Sequence, residues 1–195
     1  AQTFTITPDP VTKIKGVSGW SGSSVTYNPS DRSFSAKDGL YIPDAYNVAG
    51  GLEVEMNVWL PSEAGTLLLK QGTCNYSISS SKLYCGSIPN GYDRSYGMRT
   101  IPLNQWVTLR FAFDTVGRSN FTVNGIPDLS RTTIFSGPLP QNTGSQFTFF
   151  QNYTGLRCRW IKVWAGTKPA MSPTGFNCLA IISKDTLRLT FDHID

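Results

Sequence analysis

Histidine is almost missing from these 195 residues: the single one, His193, stands near the C-terminal end. Glutamate is nearly as scarce, with Glu53, Glu55 and Glu63 the full set. A Ser-His-Asp or Cys-His nucleophile needs an oriented imidazole base, and one terminal histidine is poor material for it. No C-x-x-C occurs among Cys74, Cys85, Cys158 and Cys178, so a zinc site of Cys/His ligands is not expected. Charge of one sign never runs together. Lys13, Lys15, Arg32, Lys37, Arg94 and Arg99 are dispersed, and the net charge is only +4. That leaves no phosphate-tracking stripe, so nucleic acid is not an expected partner. Nor does any apolar run approach the roughly 20 residues that span a bilayer, so membrane insertion is not expected. The glycines of Ala49-Gly-Gly51 precede a strand pattern rather than a helix, which excludes a phosphate-cradling loop. Ala1 is compatible with a removed leader or a removed initiator Met, and the sequence does not separate the two.

What is present reads as strands and turns. Hydrophobic residues make up 39% and charged residues 15%, unlike a disordered tail. Gly, Pro, Ser, Thr and Asn are scattered throughout, and no window keeps a helical period. The clearest strand is Leu52-Glu-Val-Glu-Met-Asn-Val-Trp-Leu60. Leu52, Val54, Met56, Val58 and Leu60 share one face; Glu53, Glu55, Asn57 and Trp59 share the other. Residues 106–113 repeat the alternation with Val107, Leu109, Phe111 and Phe113 inward. Further strands are expected at 3–7, 66–70, 120–125, 146–150 and 156–164. Lys37-Asp-Gly39 predicts a hairpin between strands at 33–36 and 40–43. Residues 179–182 and 186–191 predict a C-terminal hairpin, and Leu187 to Phe191 is expected to pair near Phe4. With no repeat or linker in view, residues 1–195 read as one domain with an added hairpin at 178–191.

The cysteines favour two disulfides. Cys74 and Cys85 flank a Ser-rich turn between two short strands, which makes a bridge easy, and Cys158 would then pair with Cys178. The alternative is four reduced, buried thiols acting as small hydrophobes. An even, bridged set suits a secreted, cell-surface or virion-surface domain. Sequons stand at Asn75, Asn120 and Asn152, a number that chance alone supplies in a chain this rich in Ser, Thr and Asn.

The order of elements resembles laminin-G-like domains. Asp38-Gly-Leu-Tyr-Ile-Pro43, the strand ending at Trp59 and Thr66-Leu-Leu-Leu-Lys70 are similar to the opening strands of that group. Gln105-Trp-Val-Thr-Leu-Arg-Phe-Ala-Phe-Asp114, followed by Phe121-Thr-Val-Asn-Gly125, resembles its most recognisable pair. Arg159-Trp-Ile-Lys-Val-Trp164 is similar to its late strand. The resemblance covers roughly residues 33 to 165. It implies an all-β fold: a concanavalin-A-like jelly roll of two antiparallel sheets. Such folds serve lectins, adhesion modules, glycanases, lyases and virion parts, so function must come from the site.

Glycanases of this fold carry clustered carboxylates on one strand. Glu53 and Glu55 share a face, but Asn57 stands where another carboxylate is wanted; a solvated face, with Glu55 paired weakly to Arg110, is the commoner meaning. Lyases of the fold use an Arg/His/Tyr/Gln set, which His193 alone, near the terminus, does not support. A non-catalytic module that binds a glycan or a glycosylated surface is therefore expected. The alternatives are a structural protein of a viral particle, in contact with other subunits, and a polysaccharide-degrading enzyme. Sugar sites combine flat rings with Asn, Asp and Arg. Residues 89–97 supply Asn90, Tyr92, Asp93, Arg94 and Tyr96, with Tyr153 and the outward Trp59 as further candidates. No cofactor is required. A Ca²⁺ ion is compatible with the turn residues Asp44, Asp93, Asp114 and Asp128, although such residues more often form turns than ligate.

Overall fold

The computed structural model describes residues 2–43, 51–70, 74–87, 94–113, 119–128 and 146–165. They form fifteen strands and no helix, in two antiparallel sheets packed as a sandwich. The larger sheet runs β13 (Ile126–Asp128), β12 (Ser119–Val123), β11 (Trp106–Phe113), β6 (Leu52–Trp59), β15 (Arg157–Ala165), β1 (Gln2–Asp9) and β2 (Lys13–Lys15). Two further strands join it: β4 (Ser33–Ala36) pairs with β15, and β3 (Val25–Asn28) pairs with β4. The smaller sheet runs β10 (Arg94–Tyr96), β9 (Lys82–Ser87), β8 (Cys74–Ser79), β7 (Gly65–Lys70), β14 (Phe147–Phe149) and β5 (Leu40–Ile42).

Alternation fixes which faces meet. Leu52, Val54, Met56 and Val58 of β6, with Val107, Leu109 and Phe111 of β11, are all buried between the sheets as the sequence predicts. From the other side Leu68, Tyr76, Phe147 and Phe149 close the core, and the Tyr76 ring stacks on Phe111 at 4.2 Å. The Phe113 side chain lies outside the described residues.

Lys37-Asp-Gly39 does not make a hairpin. Both neighbours of β4 are already taken, β3 on one side and β15 on the other, so β5 cannot pair with it. The chain instead crosses to the smaller sheet, where β5 pairs with β14. Gly39 allows the crossing with φ +102°, and its N–H donates to the Ala36 carbonyl at 3.1 Å. The strand holding Phe4 pairs with β15. Its expected partner, Leu187 to Phe191, lies outside the described residues, as does the 178–191 hairpin.

Cys74 and Cys85 are not bridged. Both point into the core from adjacent strands, but the register sets Cys74 opposite Ser87 and Cys85 opposite Tyr76, so the two sulfurs are diagonal rather than facing. Cys158 is also a free, buried thiol, its Sγ donating to the Trp160 carbonyl at 3.4 Å; Cys178 lies outside the described residues. Burial pushes the Cys74 thiol up from 9.0 to about 12, slightly offset by the charge of Lys70, and pushes Cys85 and Cys158 well up. Below pH about 9 the thiols are neutral in both states and add no pH dependence; above it the unfolded chain ionises first and stability falls. Denaturation midpoints should therefore hold steady from about pH 7 to 8.5 and decline above about 9, less steeply in a variant with all three replaced by Ala. Thiol-reactive dye should label none of the three without denaturant. Rapid labelling of Cys74, Cys85 or Cys158 in the native chain would contradict their burial.

Candidate functional site

The outward face of the larger sheet gathers side chains that the core does not use. Cross-strand pairing places Trp106, Trp59 and Arg157 in one row across β11, β6 and β15. The two indoles meet edge to face at 6.0 Å, and the Arg157 guanidinium lies 4.4 Å from the Trp59 ring and 5.7 Å from Trp106. Arg157 also donates to Asp31 Oδ2 at 2.5 Å, so its charge is matched. Asp31 arrives from the turn between β3 and β4, carried there by the pairing of β4 with β15.

A β-bulge enlarges this face. Cys158 opposes Val58 and Trp160 opposes Asn57, so Arg159 is an extra residue with no partner in the ladder. Such a bulge re-aims side chains. Here Arg159 and Trp160 are consecutive and both half-exposed, while Cys158 and Ile161 on either side are buried. The Arg159 guanidinium lies 4.0 Å from the Trp106 ring, and its Nε donates to the Asp31 carbonyl at 3.1 Å. Its two terminal nitrogens meet no acceptor among the described residues. Lys162 Nζ stands 4.9 Å from the Trp160 ring. Three half-exposed indoles, each with a cation against it, thus share one sheet face.

The predicted site residues fare differently. Trp59 is half-exposed and at the centre of the cluster. Tyr153 is a core residue, only 2% exposed: its ring fills the space beside Gly65, where a Cβ would come within 2.2 Å of it. Its hydroxyl donates to the Ser62 carbonyl at 2.5 Å, and burial raises its pKa to about 12. No face is left for a ligand to stack on. Asn90, Tyr92 and Asp93 lie outside the described residues. Arg94 and Tyr96 fall in an edge strand, β10, paired with β9, rather than in a loop; their side chains are outside the described residues. Nothing described joins these five to the tryptophan cluster.

The carboxylate pair also resolves differently. Arg110 stands opposite Glu55, and its guanidinium also forms an ion pair with Glu53, one step along the same face. Ala112, opposite Glu53, is small enough to leave the guanidinium room, and Nε donates to Glu53 Oε1 at 2.5 Å. Glu53 is 1% exposed, so this is a buried pair and not a solvated one. Of the turn aspartates, Asp128 accepts from the backbone N–H groups of Met98 and Arg99 at 2.9 and 3.0 Å, one on each oxygen. That is a clamp on the 97–99 segment. Asp44, Asp93 and Asp114 lie outside the described residues, and no cluster of three or more metal-ligating side chains occurs among the described ones. Asn120 Nδ2 is buried, which leaves no room for a glycan on that sequon in the folded chain.

Trp106, Arg157, Arg159 and Trp160 were not singled out by the sequence reasoning. A signal did exist. The buried apolar residues of this strand run Leu156, Cys158, Ile161, Val163, and the step of three between Cys158 and Ile161 marks the bulge.

No family model matches this chain, and no curated protein does. Solved structures do match. The binding domain of botulinum neurotoxin serotype D superposes with a TM-score of 0.65 at 11% identity, over 90% of this chain and 50% of that one. A type C neurotoxin structure, of a toxin whose way into cells depends upon interaction with two ganglioside molecules, gives 0.62 at 13%, over 97% and 50%. The binding domain of neurotoxin DC in complex with SialylT gives 0.61 at 14%, over 94% and 52%. The likeness is one of fold: a β-sandwich. This chain spans about half the length of the binding domains it matches.

Proposed function

We propose that this domain is a non-catalytic glycan-recognition module of the laminin-G-like, concanavalin-A-like jelly-roll type, and that the Trp59, Trp106 and Trp160 face holds the sugar. The observation that carries the reading is three half-exposed indoles on one rigid sheet face, each fixed by a neighbouring cation. Flat rings stack on the apolar faces of pyranoses, and rings already held in place lose little freedom when a ligand arrives. Folds like this one that bind gangliosides or SialylT support the ligand class. Since the match spans half of each such chain, the residues that would bind are argued from this sequence alone. The engagement of Glu53 by Arg110 counts against a glycanase, because it withdraws one of the two clustered carboxylates from acid–base work.

The test is binding of the isolated chain to a glycan array, followed by Trp160→Ala. Losing the stacking ring should weaken binding by about tenfold, equivalent to about 1.4 kcal/mol, while the melting temperature moves little. Absence of binding to every glycan would refute the assignment, as would undiminished binding by Trp160→Ala.

A further inference from the structure

We infer that the bulge residue Arg159 forms a carboxylate-binding subsite beside the tryptophan face, so that the ligand is a saccharide carrying a carboxylate. This rests on the glycan reading above and adds the chemical class. A guanidinium recognises an oxyanion best when its plane is fixed and two parallel N–H groups are offered together. Arg159 meets both conditions. Its plane is held 4.0 Å from the Trp106 indole, and Nε is anchored on the Asp31 carbonyl, so rotation about the side chain is already restrained. The terminal nitrogens meet no acceptor among the described residues.

The neighbouring charges narrow the anion. Arg157 is matched by Asp31, so that pair adds little net charge and Arg159 presents a single positive charge. A single charge is therefore better accommodated than a doubly charged phosphate. Lys162, half-exposed against Trp160, stands directly across from Glu55, so the positive charge offered at the bulge is that of Arg159. A planar carboxylate matches the end-on fork with two parallel bonds, and the adjoining indoles supply the surface for the sugar ring that bears it.

The experiment uses the full chain on an array carrying the same glycans in sialylated, sulfated and unmodified forms. Wild type should bind the sialylated member at least tenfold more tightly than the unmodified one, with the advantage shrinking as salt rises. Arg159→Ala should bring the sialylated form down to the level of the unmodified form and leave the latter within about twofold. Arg159→Lys keeps charge and stem but not the fork, and should retain less than a fifth of the preference even if the alanine variant fails to fold. Equal binding of sialylated and unmodified glycans by wild type overturns the subsite while leaving the glycan reading standing. The subsite is likewise overturned if the sulfated form binds more tightly than the sialylated one, if Arg159→Ala weakens both forms alike, or if Arg159→Lys keeps the preference. Binding to no member overturns the glycan reading itself.

Discussion

Phe111→Ala is expected to lower the unfolding free energy by about 3–5 kcal/mol, the usual range for deleting a buried aromatic ring. Phe111 has no exposed surface and stands at the centre of β11. Its ring lies 4.2 Å from that of Tyr76, nearly parallel at 17°, so it joins the larger sheet to the smaller one. Truncation would remove apolar contact on both sides and open a cavity that rigid strands cannot collapse into. Urea denaturation should show a lower midpoint with an unchanged slope. A loss below about 1 kcal/mol would mean that the inward register of β11 is wrong.

The second large effect is expected at Arg110. Glu53 and Arg110 face away from the core, yet both are buried. Arg110→Ala would leave the Glu53 carboxylate in a low-dielectric site without its cation, at a cost of about 3–5 kcal/mol. A companion variant separates the charge from the packing. Replacing the pair together by Leu at 53 and Met at 110 removes both charges at similar volume, and should lose less stability than Arg110→Ala alone. If the double variant is instead the worse of the two, the pair contributes through attraction rather than through the penalty of orphaning one member.

Much of this sandwich was legible because alternation is a strong physical signal. In β6 and β11, each second residue is apolar, and burial of that set leaves one solution for which face looks inward. The Ser-rich turn after Cys74 was legible too: Ser80 and Ser81 take φ of 50° and 58°, the left-handed geometry of a two-residue hairpin. What depends on distant partners was not legible. Asp38-Gly39 has hairpin chemistry, but whether a turn returns to its own sheet depends on which edges are still open, and β15, more than a hundred residues later, had closed this one. The thiols of Cys74 and Cys85 are close in sequence, yet a shift of two residues in register decides whether they face each other.

The site divides in the same way. Trp59 could be found from its own strand. Arg157, Arg159 and Trp106 become neighbours only through pairings of β6 with strands about fifty and about a hundred residues later. Tyr153 was a stacking candidate for its ring beside Asn152; the missing side chain of Gly65, across the fold, is what admits that ring to the core.

The bulge at Arg159 makes that position separable from the rest of the strand. Cys158 points in and Trp160 points out on either side of it, so deleting Arg159 would leave the in-out order from Trp160 to Ala165 unbroken against β6. An insertion or loss of one codon elsewhere in a central strand would turn every later side chain to the wrong face. Here it would add or remove one outward cation with its contacts to Trp106 and Asp31, and leave the inward set in place. Sequences built on this scaffold can thus acquire or shed an anion-reading position in a single genetic step. Variation in length at this point of the strand, and not substitution alone, is where a change of ligand preference should be sought.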